Sequence, residues 1–254
     1  MTPILSIITA SFNDRDRLSK TIKSLERFYS DDRFEHIIID GFSSDESQLE
    51  LAKLKDYNNV RVQVSTDRGI YDAMNKGILL SKGQYLLFLN CGDLLLASSG
   101  YIIDSLMDLP ANSIEIICFN AIESDGKENK LLSPVLGRLH KLPTSHQAMV
   151  FSKHFLEENK YNLNYQIAAD YDLYLRAQTS CICAARKDEI FVEIEAEGVA
   201  SKNPSISYSE YFSIARKNLK GITRLTTLFK ILSRGLLVIG YKNFFLPAVS
   251  YLKK

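Results

Sequence analysis

Three times between residues 4 and 81 a short apolar run is followed by a segment whose apolar residues recur at helical spacing, and a fourth apolar run closes the series. The runs are Ile4–Ala10, His36–Ile39, Val60–Val64 and Gln84–Leu89, and the intervening helical segments are Arg15–Tyr29, Asp45–Asp56 and Ile70–Ser81. In Arg15–Tyr29, for example, Leu18, Ile22, Leu25 and Phe28 fall on one face and Asn13 or Asp14 supplies the cap. Strands joined by crossover helices build a parallel sheet, so this alternation restricts the first half to a doubly wound α/β layer. Sheets of this kind bind ligands at the carboxyl ends of their strands. Polar residues collect there: Ser11, Asn13 and Asp14 after the first run, Asp40 after the second, Thr66 and Asp67 after the third, and Asn90 with Asp93 after the fourth.

After Ser99 the pattern loosens. Ile114–Asn120 reads as a further strand, Ile122–Ser133 as a hairpin turning at Ser124–Lys127, and Pro134–Ser145 as a loop. Ala148–Phe151 reads as a strand opened by His146 and Gln147. A helix carrying Asp170, Asp172 and Arg176 follows, then two strands, Cys181–Ala184 and Ile190–Ile194. No internal repeat is visible.

Charge divides the chain more sharply than its net of +1 suggests. Residues 201–254 carry ten Lys and Arg against one acid, Glu210, a net of +9, and residues 1–200 carry −8. With 46% hydrophobic and 24% charged residues, collagen-like, low-complexity and disordered classes are excluded. The N-terminus lacks a basic segment followed by a long apolar stretch, so no secretory signal is expected. None of Cys91, Cys118, Cys181 and Cys183 forms a zinc-binding spacing. Reduced thiols and a cytoplasmic protein are the expectation.

Several motifs in this order resemble glycosyltransferase family 2. They are Ser6–Asn13 with its Phe-Asn step, Ile38–Asp45 with an Asp followed by Ser-Asp, and Asp67–Gly77; Asn90-Cys91-Gly92-Asp93 stands where the family has an acidic run and departs from it. The resemblance covers about residues 4–205 and implies a GT-A fold: a Rossmann-like, mostly parallel sheet with a small antiparallel acceptor-side part. Residues 1–98 would form the nucleotide-binding half, 99–205 the acceptor-side half and 206–254 a C-terminal helical extension. It implies an inverting transferase that moves a sugar from a UDP-sugar donor to a glycan or lipid-linked acceptor in bacterial surface polysaccharide assembly.

The resemblance also implies residue roles. Phe12 stacks on the uracil and Asp40 accepts its imide N–H. Ser11, Asn13, Asp67, Asn75 and Asn90 complete the donor site. Asp93 holds a divalent cation, Mn²⁺ or Mg²⁺, and is the one carboxylate left where the family usually has an acidic triplet. Asp170 is the general base that takes the acceptor hydroxyl proton. His146 contacts the acceptor or the diphosphate, and Lys202, in the segment Gly198–Asn203, meets the diphosphate. Lys76 reads as a solvated helix charge and Arg176 as a salt bridge holding the helix of Asp170. The depleted acidic motif leaves a rival reading, a non-catalytic GT-A-like module that binds nucleotide or a partner.

From Tyr208 onward apolar residues recur at helical spacing beside Arg216, Lys217, Lys220, Arg224, Lys230 and Arg234, which suits an anionic membrane surface or a helical cover on the domain. Gly235–Leu252 is interrupted by Lys242, Asn243 and Pro247 and reads as interfacial or packed on the domain, not spanning. No nucleic-acid module is present, so nucleic acid is not an expected partner.

Overall fold

A computed structural model describes residues 2–108, 114–178, 183–196 and 198–240. Among the described residues nine strands form one sheet. The nucleotide half contributes β1 (Leu5–Ser11), β2 (Phe34–Asp40), β3 (Val60–Val64) and β4 (Tyr85–Phe88), all parallel, in the order β3-β2-β1-β4. Helices α1 (Arg15–Leu25), α2 (Ser47–Ala52) and α3 (Ile70–Leu80) connect them. The region expected as helix up to Tyr29 ends instead in a 3-10 turn, Glu26–Phe28.

The alternation of side chains along β1 shows why both faces must be covered. Leu5 and Ile7 join the apolar core under α1, while Ile8 joins a second core under α3 on the opposite face. That second packing is close: a Cβ at Gly77 of α3 would stand 2.4 Å from Ile8 Cγ2, so only glycine lets α3 lie this near β1.

Beyond β4 the sheet reverses direction. Strand β8 (Met149–Ser152) runs antiparallel beside β4, and β6 (Ile116–Ser124) lies antiparallel on its far side. β7 (Asn129–Leu132) forms the expected hairpin with β6, and the short β5 (Leu94–Leu95) pairs with the last strand, β9 (Cys183–Glu195). The two strands expected between Cys181 and Ile194 are therefore one over the described residues. The charged run Arg186–Glu189 is carried past β6 through a register shift instead of making a turn, and Cys181 lies outside the described residues.

Helices α4 (Ser99–Met107), α5 (Lys153–Glu158) and α6 (Ala169–Gln178) complete the packed layers. The short α7 (Val199–Lys202) leads into α8 (Pro204–Asn218) and α9 (Gly221–Gly240). Ile214, Ala215, Leu219 and Ile231 of this extension enter the same core as Tyr171, Leu175 and Phe155, so the extension shares the apolar interior of the body. No helix among the described residues is long and apolar enough to cross a membrane. Lys242, Asn243 and Pro247 lie outside the described residues.

Candidate active site

The reversal between β4 and β8 builds the site. Because β8 is antiparallel to β4, its entrance lies at the carboxyl end of β4. The turn Asn90–Asp93 leaves that end, and the 3-10 turn His146–Ala148 arrives at it. Thr21 of α1 clamps the first turn: its hydroxyl donates to the carbonyls of Asn90 (3.1 Å) and Asp93 (3.0 Å), and Gly92 N–H donates back to it (2.9 Å). Gly92 has φ +95°, a left-handed conformation that favours glycine, so the turn depends on it.

The adjacent residues His146 and Gln147 each reach a different acid. Gln147 Nε2 donates to Asp93 Oδ2 at 2.9 Å. His146 Nδ1 stands 3.7 Å from Asp170 Oδ2, while its Nε2 faces Asn90 Nδ2 at 3.1 Å. Burial pushes His146 down to about 4, so the ring is neutral near pH 7 and the 3.7 Å contact is a dipole facing a carboxyl group, not an ion pair. With Asn90 donating to Nε2, the ring proton sits on Nδ1 and points along the Asp170 side. Asn90 Oδ1 is left buried with no hydrogen-bond partner.

Both acids are under-satisfied. Burial pushes the Asp93 carboxyl up to about 7, against the pull of the Gln147 amide and the Arg17 guanidinium. Burial likewise pushes Asp170 up to about 7, against the Tyr171 N–H that donates to its Oδ1 at 2.7 Å, with the charge of Glu210 adding to the rise. Asp170 lies in the first turn of α6, but it does not have to cap the chain entering that helix. Glu210 of α8 does so, accepting from the backbone N–H groups of Gln166 (2.7 Å), Ile167 (3.0 Å) and Ala168 (2.8 Å). The single acid of the basic tail is thus spent on positioning the helix of Asp170. Asp172, on another side of α6, pairs with Arg176 at 3.0 Å as expected.

On the rim toward β1 and β2, the Phe12 ring is 63% exposed. A Cβ at Gly41 would stand 3.1 Å from that ring and 2.9 Å from Asp67 Oδ2, so glycine keeps open a shelf between an aromatic face and a carboxylate. Asp67 Oδ1 accepts from Gly69 N–H at 2.9 Å. Asn13, at φ +48°, ties the shelf together by accepting from Ser44 N–H (2.7 Å). Ser11 Oγ is buried beneath it without a hydrogen bond.

Several expected donor contacts are spent elsewhere. Asp40 is fully buried; its oxygens accept from Ser43 N–H (2.9 Å), Ser43 Oγ (2.6 Å) and Gln48 Nε2 (2.9 Å), so it folds the loop and Asp67 is the acid that borders the shelf. Asn75 uses both ends of its amide on the backbone of Tyr161, at 3.0 and 2.9 Å, and staples α3 to the chain before α6. Lys76 is not a solvated charge: it donates to the Thr66 carbonyl and pairs with Asp72 at 3.5 Å. Lys202 is exposed on α7 and lines a cavity of about 490 Å³ together with Ser207, Tyr208, Tyr211 and Val238. Tyr211 also packs its ring against Tyr171, the residue after Asp170, at 4.6 Å between centroids, and burial first and then the charge of Asp170 push its hydroxyl well above the ordinary range.

The sequence reading missed Arg17, Gln147 as a partner of Asp93, and Glu210. Arg17 pairs with Asp14 (3.2 Å) and Glu195 (3.1 Å) above the Gly92 turn, and its Nε is buried without a hydrogen bond. A lone basic residue on a helix gives no spacing signal for such a role.

A model of glycosyl transferase family 2 matches residues 6–99, the parallel half and the Asn90–Asp93 turn. An uncharacterized glycosyltransferase of Mycobacterium tuberculosis is 30% identical over 224 residues, covering 82% of this chain and 81% of that protein. The chain belongs to glycosyltransferase family 2. Among solved structures, S. aureus TarS 1-349 in complex with UDP-GlcNAc superposes with a TM-score of 0.70 at 15% identity, over 95% of this chain and 76% of that one. Mannosyltransferase PcManGT from Pyrobaculum calidifontis, in complex with GDP-Man and Mn²⁺, superposes with a TM-score of 0.66 at 11% identity, over 100% of this chain and 79% of that one. The mixed sheet, parallel with antiparallel additions, is the GT-A fold, and the protein is a glycosyltransferase.

Proposed function

We propose that this family 2 enzyme transfers a sugar from a UDP-sugar, with inversion, to a glycan or lipid-linked acceptor in bacterial surface polysaccharide assembly, at the cytoplasmic face of a membrane. The observation that carries the reading is the His146-Gln147 step, which puts an under-satisfied acid on each side of one turn. The uracil lies on the Phe12–Gly41 shelf with Asp67 as acceptor for its imide, and the diphosphate extends toward Asn90–Asp93.

The oxygens available there fit a hard divalent cation, Mn²⁺ or Mg²⁺. Asn90 Oδ1 is buried and orphaned, Asp93 is a buried carboxylate without a bonded cation, and no group of three or more His, Cys, Asp or Glu among the described residues forms a closed cage. Few protein ligands completed by phosphate oxygens is the pattern such ions accept. When bound, the cation neutralises the diphosphate as it leaves. Lys202 approaches the same diphosphate from α7.

Asp170 removes the proton from the acceptor hydroxyl as its oxygen attacks the anomeric carbon from the side opposite the diphosphate. A carboxyl raised to about 7 is basic enough for this task and still ionised in part at neutral pH. The neutral His146 ring keeps its Nδ1–H toward Asp170 and steadies the carboxylate without neutralising it. The raised carboxyl of Asp170 supports this catalytic reading over a non-catalytic module.

A thermal-shift screen of nucleotide sugars with and without Mn²⁺ tests the reading, because a ligand of the native state raises the unfolding midpoint by mass action. UDP-sugars are expected to shift it only with the cation. A response to GDP-sugars alone, or one indifferent to metal, would overturn the assignment of the donor.

A further inference from the structure

We propose that α9 and the loop 134–145 together form a docking face for an anionic lipid bilayer, beside the cavity lined by Tyr211 and Val238, which keeps the acceptor's lipid end in the bilayer while its glycan end reaches Asp170. This rests on the lipid-linked acceptor proposed above.

Two independent features flank the solvent-facing side of α9, an apolar stripe on one side and a group of cations on the other. The first is apolar. Ile222, Leu225, Phe229, Leu232 and Leu236 recur every three or four residues on α9 and are 51–75% exposed, while Thr227, Ile231 and Gly235 of the same helix are buried against the body. A helix seated on a protein through one face has no reason of its own to carry a second apolar stripe on another. The loop adds exposed Val135 and Leu136.

The second feature is charge. Arg234 reaches across to His140 at 3.4 Å, joining α9 to the loop. Burial and then the charges of Arg234, Lys230, Lys141 and Arg138 lower His140, so four permanent cations from two distant parts of the chain surround it. Residues 129–145 and 211–240 contain no Asp or Glu. Among the described residues none of the four cations pairs with a carboxylate.

Four uncompensated cations beside an apolar stripe complement an anionic, apolar-backed surface. They oppose a second copy of the same helix, which would bring like charges together. Apolar burial and attraction to anionic headgroups are the two terms that hold an interfacial helix.

The position fits delivery of a substrate. Val238, two residues beyond the stripe, lines the same cavity as Tyr211, whose ring packs at 4.6 Å on Tyr171, the neighbour of Asp170 on α6. The Tyr171 hydroxyl, on the helix of the base, donates to the Leu139 carbonyl of the loop, and the loop runs on into His146. Docking therefore engages elements that hold the base.

The test is flotation of the full chain with vesicles of phosphatidylcholine alone or with phosphatidylglycerol. Binding is expected only to the second, with release by high salt. Arg138→Gln with Lys141→Gln, far from α9 in sequence, should weaken binding about fivefold per charge, and Phe229→Ser with Leu232→Ser should abolish it. Mn²⁺-dependent thermal shift by a UDP-sugar, unchanged in both variants, certifies the fold and the donor site. Equal binding to both vesicles, a loop variant that binds like the parent, or a stripe variant that converts a dimer to a monomer would each overturn the proposal. Vesicle binding by a protein that ignores UDP-sugars would leave the docking face standing and refute the donor reading instead.

Discussion

Buried acids are treated in opposite ways in the parallel half of the fold and at the seam of its sheet. In the parallel half, Glu35 of β2 accepts from Ser6 Oγ (2.6 Å), Lys82 N–H (2.5 Å) and Gly83 N–H (3.0 Å), and Lys53 and Arg15 hold Glu50 below the ordinary carboxylate range. At the seam between β4 and β8, Asp93 and Asp170 have no cation bonded to them among the described residues and are pushed up to about 7. The buried histidines repeat the contrast. His36 has the Tyr29 hydroxyl at 2.9 Å from Nδ1 and the Thr9 hydroxyl at 2.9 Å from Nε2, whereas His146 has one good partner and one carboxyl group at 3.7 Å. Saturated polar groups hold a fold together, and under-satisfied ones wait for a ligand or a proton.

The sharpest way to break this contrast is Asp170→Asn, which is expected to lower kcat by about a hundred- to ten-thousand-fold while making the protein more stable at pH 8. The sign follows from the raised pKa. The folded state holds this proton more tightly than the unfolded chain, so the group's stabilisation is complete below about pH 4 and is lost as pH rises through about 7. Removing the buried charge should return roughly 2–4 kcal/mol at pH 8, read by denaturant titration. The same shift predicts that parent kcat climbs as pH rises through about 7. A flat profile from pH 5 to pH 9 would remove Asp170 from the proton transfer.

Gln147→Leu should act more mildly, raising the Mn²⁺ concentration needed for half-maximal transfer by about tenfold or more while leaving the pH profile in place. If it moved the profile instead, Gln147 would belong with Asp170 and not with Asp93. The smallest effect on activity is expected in the parallel half. Glu35→Gln should cost about 1–3 kcal/mol of stability, because two backbone donors lose a charged acceptor, with kcat and KM unchanged. A change in donor KM would show that Glu35 and the seam are not separable.

The parallel half was legible because its signal is local. Apolar runs and helical periods predicted β1–β4 and α1–α3 closely, and the carboxyl rim followed from strand direction. Asp170 stands as the proposed base only through family resemblance, and its surroundings were not legible at all. Asn75, Asp40 and Lys76 sit where donor contacts or solvated charge were expected, but periodicity fixes a face and not a partner. Tyr161, Ser43 and Thr66 claimed them. Glu210 read as one acid in a basic tail, and its role appears only when α8 folds back onto the entrance of α6. The two strands expected after residue 180 are one over the described residues because a register shift carries the charged run Arg186–Glu189 past β6.

The antiparallel entry of β8 also has a meaning for the order of assembly. Asn90 meets His146 across 56 residues, and Asp93 meets Gln147 across 54. Contacts so distant in sequence form only after the intervening chain has condensed, and synthesis delivers the N-terminal half first. A nascent chain can therefore close its parallel layer and present Phe12 and Asp67 before the base, or the helix that carries Glu210, has been made. Until α8 arrives to cap α6, a half-built molecule has a place for a donor and no means of spending it.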